Sequence, residues 1–293
     1  MGIKALITGA SGQLGQELLA TTPAGVQCVG LARAELDIAD SAAVQRCLQQ
    51  EQPQVVINAA AYTAVDQAES NAGAAQRANA AGPGNLAIAC AETGARLIHI
   101  STDFVFDGSA DSPYCPDTTP SPLGEYGRSK LAGERAVQAA LPDALIIRTG
   151  WVYSAYGANF VKTMLRLMAE REELGVVADQ LGTPTWAHGL AQLCWIAVSM
   201  PQLSGVYHWS DSGCCSWYDF AVAIQEDALT LGLLEEPVTV RPITTAEYPT
   251  PAQRPAYSVL EKSDTWRDFQ REGVDWRDQL RAMLAQLREM EDA

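Results

Sequence analysis

The segment Gly9-Ala10-Ser11-Gly12-Gln13-Leu14-Gly15 limits the fold more than any other feature of the chain. It succeeds the aliphatic run 4–8 directly and opens the segment 13–20, where Leu14 and Leu18 stand one helical turn apart. A glycine turn between a strand and a helix leaves backbone N–H groups free at the helix N-terminus, where the helix dipole favours an anion. At the start of a β-α-β unit this is a pyrophosphate site for a dinucleotide. Gly9, Ser11, Gly12, Gln13, Leu14 and Gly15 are therefore the expected phosphate-binding residues.

The chain beyond this turn keeps the matching rhythm. Runs 27–31, 55–59, 97–101 and 145–148 are aliphatic without polar alternation, as strands covered on both faces must be. Helical stretches 41–50, 85–93 and 125–140 lie between them. The alternation predicts an α/β fold, a doubly wound parallel sheet of the Rossmann type. Beyond residue 150 the order loosens. Helices are expected at 160–173, 187–198 and 217–231, a strand at 205–209, a proline-rich stretch at 237–255 and a last amphipathic helix at 276–289. The reading is a dinucleotide-binding domain over 1–150. Residues 151–293 then form a smaller, interleaved α/β substrate domain, some segments of which return to the first.

Charge and cysteine content narrow the function. The 293 residues carry 35 acids against 20 bases, a net charge of −15, which argues against a nucleic-acid partner. The apolar stretch 190–200 is too short to span a bilayer and contains Gln192. No signal peptide is read, because Gly9 and Gly12 interrupt the apolar start. Seven scattered cysteines without a Cys-x-x-Cys pair suggest reduced thiols, including Cys214 and Cys215, and a cytoplasmic enzyme.

The second strand ends at Leu31, where an NAD site usually carries a carboxylate. Here Ala32-Arg33 comes next, and Arg33 can pair with a 2′-phosphate. The other reading leaves Arg33 in solvent and gives the ribose to Glu35. The first is favoured: NADPH, with NADH accepted. Asp37 and Ile38 are expected beside the adenine. Tyr126 and Lys130 share one face of a helix, a spacing that lets an ammonium lower a phenol's pKa towards neutrality. The fourth strand ends in Ser101-Thr102-Asp103, where a hydroxyl could hold a carbonyl oxygen while Tyr126 protonates it.

These residues resemble the extended short-chain dehydrogenases/reductases that act on nucleotide sugars. The likeness runs the whole length. It includes Asn58-Ala59-Ala60-Ala61-Tyr62-Thr63, His99-Ile100-Ser101-Thr102-Asp103-Phe104, Arg148-Thr149-Gly150-Trp151, Asn159-Phe160-Val161-Lys162, Ser216-Trp217-Tyr218-Asp219 and Pro251-Ala252-Gln253-Arg254-Pro255. The resemblance implies hydride transfer from NADPH or NADH to the C4 ketone of dTDP-4-dehydro-L-rhamnose. It makes Tyr126 the proton donor, Lys130 the group that tunes it and orients the nicotinamide ribose, so that both also touch the cofactor, and Thr102 the partner of the sugar oxygen. It places Ala60, Ala61, Tyr62 and Thr63 beside the cofactor, and Asp103, Trp151 and Asn159 beside the sugar. Arg254, stiffened by flanking prolines, is expected on the substrate diphosphate.

Some members of that family hold a divalent metal at a homodimer interface through acidic residues. Glu17 occupies one such position, but His188 stands where those members have glutamate, so no magnesium site is expected. Glu289, Glu291 and Asp292 are left as solvated charges. A dehydratase is disfavoured, because Phe104 comes after Thr102-Asp103 where dehydratases resemble Thr-Asp-Glu. Two readings stay open beside the reductase: an enzyme acting on another nucleotide sugar, and a non-catalytic NADP-binding regulatory subunit like that of methionine adenosyltransferase.

Overall fold

The computed structural model describes residues 2–291. The aliphatic runs become five strands: β1 (Ile3–Thr8), β2 (Val26–Leu31), β3 (Val55–Asn58), β4 (Arg96–Thr102) and β5 (Leu145–Thr149). Helices α1 (Gln13–Ala20), α2 (Ser41–Glu51), α3 (Gly82–Thr93) and α4 (Glu125–Ala140) connect them. Successive strand side chains point to opposite faces. Ala5 and Ile7 therefore pack with Leu14 and Leu18 of α1, while Leu6 packs with Val44 and Leu48 of α2 and Leu86 of α3. Full burial of each such aliphatic side chain contributes about 1.5–3 kcal/mol.

The second half begins with α5 (Phe160–Glu170) and β6 (Glu173–Val177), then α6 (Ala187–Ser199) and β7 (Gly205–His208). After these come α7 (Trp217–Thr230), β8 (Thr239–Ile243), α8 (Ser263–Phe269) and α9 (Trp276–Glu291). β7 joins the sheet, whose six parallel strands run β7-β5-β4-β3-β1-β2. The order reverses between β1 and β3, and such a switch point opens a crevice at the carboxyl ends of the strands. α6 lies against the α1 side of the sheet, with Leu190, Leu193 and Cys194 in the same core as Ala5 and Ile7. Trp195 Nε1 donates to the Leu18 carbonyl at 3.2 Å. A second core gathers α5, α7 and α9 around Phe220, Met283 and Leu284.

Several elements depart from the expected bounds. The helix from Phe160 stops at Glu170, because Arg171 is extended and Glu173 starts β6. β6 pairs in parallel with β8, which lies inside the proline-rich stretch. That strand has few apolar positions, and only its distant partner gives it structure. α8 and the short helices Val65–Ser70 and Ala72–Gln76 are too brief for a periodic signal. All seven cysteines are free; Cys214 is exposed and Cys215 buried. No described helix is long and apolar enough to cross a membrane.

Between Ala72–Gln76 and α3 the backbone widens into a π-helical turn, Arg77–Ala81, and α4 crosses it at Gly133. A Cβ at Gly133 would stand 2.0 Å from the Asn79 carbonyl oxygen. Gly133→Ala is expected to cost about 1–3 kcal/mol through this overlap, read as a lower urea midpoint. Gly73→Ala, whose Cβ would meet nothing closer than Arg77 at 3.8 Å, should leave the midpoint unchanged or raise it slightly.

Candidate active site

Gly9 has φ +72°, and a Cβ there would lie 2.6 Å from the Ala60 amide nitrogen. Glycine is therefore required both for the backbone shape and for the approach of the β3 end. Gly12 heads α1 without a side-chain cap. Over this turn opens a cleft of about 320 Å³, lined by Gly9, Ser11, Gly12, Arg33, Asp37, Ile38 and the run 59–64. It thus includes the expected Ala60, Ala61, Tyr62 and Thr63. The remaining expected phosphate residues sit differently. Leu14 is core, Gly15 packs beneath the Gly9 carbonyl, and Gln13 Oε1 accepts from Asn159 Nδ2 at 3.0 Å.

Arg33 and Glu35 part company in the structure. The Arg33 side chain is 82% exposed at the cleft and stands 3.9 Å from Asp37. Glu35 is turned back on its own loop, accepting from the Ala32 amide at 2.8 Å. Arg33 is accordingly the side chain with charge to offer a phosphate. Asp37 closes a turn by accepting from the Ala39 amide, and Ile38 is buried under Gly82.

Tyr126 and Lys130 stand on the first two turns of α4, facing the end of β4. The Tyr126 hydroxyl is hydrogen-bonded to the Thr102 side chain. Thr102 Oγ1 in turn donates to Asp103 Oδ1 at 3.0 Å. Lys130 is buried, and its Nζ donates to the Ile100 carbonyl at 2.6 Å. Burial pulls the Lys130 ammonium down to about 8, against the upward pull of Glu134. The expected lowering of the Tyr126 phenol is not found. Burial pushes it up to about 12; the Thr102 hydrogen bond opposes that rise and the Asp103 charge adds to it. The ammonium of Lys130 is directed to a backbone carbonyl instead of the phenol, which explains the difference. A phenol held neutral is a proton donor, and that is what ketone reduction requires.

Sequence reasoning missed Asn79, which ties the cleft to the catalytic helix. Its Oδ1 accepts from the Tyr62 amide at 2.7 Å; its Nδ2 donates to the Tyr62 carbonyl and to Ser129 Oγ, both at 3.0 Å. The π turn sets this side chain between the two, a common use of such turns. On β3, Asn58 Oδ1 accepts from Thr8 and from the Ala60 amide. Its Nδ2 therefore donates to His99 Nδ1 at 3.0 Å. His99 is held well below the usual histidine range by burial and by Lys130, and packs in the core. So does His208, lowered to about 3 chiefly by burial.

The expected substrate residues fall into two groups. Asp103 is buried beside the Thr102–Tyr126 pair, its carboxyl raised to about 6 by burial, and Thr102 donates to its Oδ1. Trp151 has φ +50° and stacks on Trp217 at 3.5 Å between centroids. Asn159 and Arg254 are already engaged inside the chain. Asn159 caps α5, accepting from the Lys162 amide at 3.1 Å, and donates to Ser154 and Gln13. Arg254 makes a two-pronged pair with Asp66 at 2.8 and 3.1 Å, which holds the Asp66 carboxyl below its usual range. Its charge serves a clasp between the C-terminal strap and the short helix Val65–Ser70.

Residues 3–289 match the family described as RmlD substrate binding domain. The dTDP-4-dehydrorhamnose reductase of Burkholderia thailandensis is 44% identical over 285 residues, covering 94% of this chain and 96% of that protein. The chain belongs to this reductase family. The relative from Aggregatibacter actinomycetemcomitans with the same name is 42% identical, over 96% of this chain and 98% of its own. The crystal structure of the Bacillus anthracis dTDP-4-dehydrorhamnose reductase in complex with NADP superposes with a TM-score of 0.93 at 38% identity, covering 98% and 100% of the two chains.

The residues around Glu17 do not fit the divalent metal of some family members. Arg271 donates to Gln192 Oε1, so Gln192 Nε2 donates to His188 Nε2 at 2.8 Å. The His188 Nδ1 proton then faces Glu17 Oε2 at 3.2 Å, and Ser154 donates to Glu17 Oε1 at 2.7 Å. Both carboxylate oxygens of this buried glutamate are satisfied by neighbours. Among the described residues no three His, Cys, Asp or Glu side chains gather as a metal site. Glu289 is exposed, the Glu291 side chain is not described, and Asp292 lies outside the described residues.

Asn79→Ala would strip partners from Tyr62 and Ser129 together. The expected cost is about 1–3 kcal/mol in the urea midpoint, since partly buried groups lose their bonds. NADPH affinity, read by fluorescence titration, should fall as the loop 60–63 loosens.

Proposed function

We propose that this chain reduces the C4 ketone of dTDP-4-dehydro-L-rhamnose with NADPH, the last step of dTDP-L-rhamnose synthesis. The observation that carries the reading is the Tyr126–Thr102 hydrogen bond at the end of β4, beside a nucleotide cleft that presents Arg33. Bound NADPH supplies the hydride; the chain supplies position, charge and a proton.

Arg33 suits a 2′-phosphate, and the turn 9–12 at the head of α1 suits the pyrophosphate. Asn79 fixes the Tyr62 backbone, so the loop 60–63 is set before ligand arrives. Thr102 holds the sugar oxygen next to Tyr126. As negative charge grows on that oxygen, the Tyr126 proton passes to it, while the single Thr102 hydroxyl proton, held by Asp103 Oδ1 in the free chain, turns to the same oxygen. An alkoxide is more basic than a phenolate, so a phenol near 12 still gives up its proton at this point. The Lys130 ammonium lies one turn further along α4, held on the Ile100 carbonyl, and suits the hydroxyls of the nicotinamide ribose. Asp103, buried with Oδ2 unpartnered, can accept from a sugar hydroxyl. Trp151, braced on Trp217, walls the sugar side.

The test is NADPH oxidation with dTDP-4-dehydro-L-rhamnose generated from dTDP-glucose, run with and without EDTA. Steady turnover insensitive to EDTA is expected; NADPH binding without turnover would favour the regulatory-subunit reading. Tyr126→Phe should lower kcat by about 10²–10⁴. A kcat within a few-fold of wild type would remove Tyr126 as the acid. Arg33→Ala should raise KM for NADPH far more than for NADH, and equal effects would end the preference for NADPH.

A further inference from the structure

Further along the same face of α4 as Tyr126 and Lys130 lies a buried charge pair. Arg148 Nη2 and Nε donate to the two carboxylate oxygens of Glu134 at 2.7 and 2.9 Å, with both side chains under 5% exposed. Ser101, next to Thr102, donates to the same carboxylate. The remaining Arg148 nitrogen, Nη1, reaches the Pro116 carbonyl at 3.1 Å, and the guanidinium lies over the Phe106 ring. A bidentate pair of this kind fixes orientation as well as distance. Glu134 is one helical turn from Lys130 and two from Tyr126, all on one face of α4. The pair thus fastens the catalytic helix to β5 through Arg148 and to β4 through Ser101, on strands whose ends carry Thr149 and Thr102.

We propose that the Glu134–Arg148 pair positions Lys130 and keeps it charged, so that these two residues act on the reaction through the lysine without touching substrate. This rests on the reductase reading and adds positioning residues to it. Other groups near Lys130 are few. Tyr126 shares its helix, His99 and Asp103 come from β4, and Arg148 lies behind Glu134. Asn79, from the π turn packed on α4, is uncharged. His99 is neutral, so Glu134 is the anion on the helix face of Lys130. Removing its charge lowers the pH at which the ammonium loses its proton, because an opposite charge one turn away favours the charged form.

The experiment is kcat against pH for wild type, Glu134→Gln, Ser101→Ala and Arg148→Lys. In Glu134→Gln the alkaline limb should move down by about one pH unit, with kcat at about pH 6 and below much less affected. Ser101→Ala and Arg148→Lys keep both charges and should leave the limb in place. A uniform loss of kcat at every pH in Glu134→Gln, or an unmoved limb, would reduce the pair to a packing role and overturn the proposal. Should Glu134→Gln not fold, Glu134→Asp keeps the charge but draws it back from Lys130, and a smaller shift in the same direction is expected. NADPH affinity against pH follows the same lysine without turnover. A wild type that binds NADPH but reduces nothing would therefore sink the reductase reading while this titration still decides the pair.

Discussion

Burying an ammonium group is the constraint around which this molecule is arranged. Lys130 is enclosed between α4 and β4, and an unpaired ion in such a place costs several kcal/mol even after relaxation. The cost is met by the Ile100 carbonyl at 2.6 Å and by Glu134 on the next turn. Glu134 is itself a buried charge and needs Arg148, which needs Pro116 and the Phe106 ring. One functional lysine thus sets the register between α4, β4 and β5. The tightness of the helix against the sheet comes from satisfying charges as well as from apolar contact.

The polar groups at the carboxyl ends of the strands follow the same logic. Thr8, Asn58 and His99 link β1, β3 and β4 side by side, and Asn79 links the next loop to α4. Most of these atoms have partners inside the chain. Asp103 Oδ2 and His99 Nε2 do not, and Asp103 Oδ2 lies where a sugar hydroxyl is expected. A buried carboxylate oxygen left without a donor there is free to accept from a ligand. Trp151 adds backbone strain at φ +50°, tolerated because Gly182 and Trp217 hold its ring from either side.

Much of the fold was legible because the central strands are mostly aliphatic without polar alternation and the helices between them carry apolar residues one turn apart. The glycine turn at 9–15 pointed to the cleft over α1, and the Tyr126/Lys130 spacing to the face of α4 that meets the end of β4. What escaped was short or depended on a distant partner. β8 is formed by its pairing with β6 inside a proline-rich stretch, and the π turn has no composition of its own. On the substrate side the chain's internal bonds were not legible. Asn159 and Arg254 look available in sequence, yet their donors are taken by Gln13, Ser154 and Asp66.

The sequence by itself determined the parallel sheet, the phosphate turn at its first crossover and the residue types needed to protonate a ketone oxygen. Periodicity and local spacing carry that information, and both survive without a partner. The tertiary structure alone decided which charges are free and which are consumed. Arg33 faces the cleft while Glu35 folds onto its own loop, Arg254 is clasped by Asp66, and Glu17 is satisfied by His188 and Ser154. It also decided that the Tyr126 phenol is raised, because desolvation depends on what surrounds a group in space. A charged side chain has the same identity whether it binds a ligand or a neighbour, and only the folded chain brings that neighbour within about 3 Å.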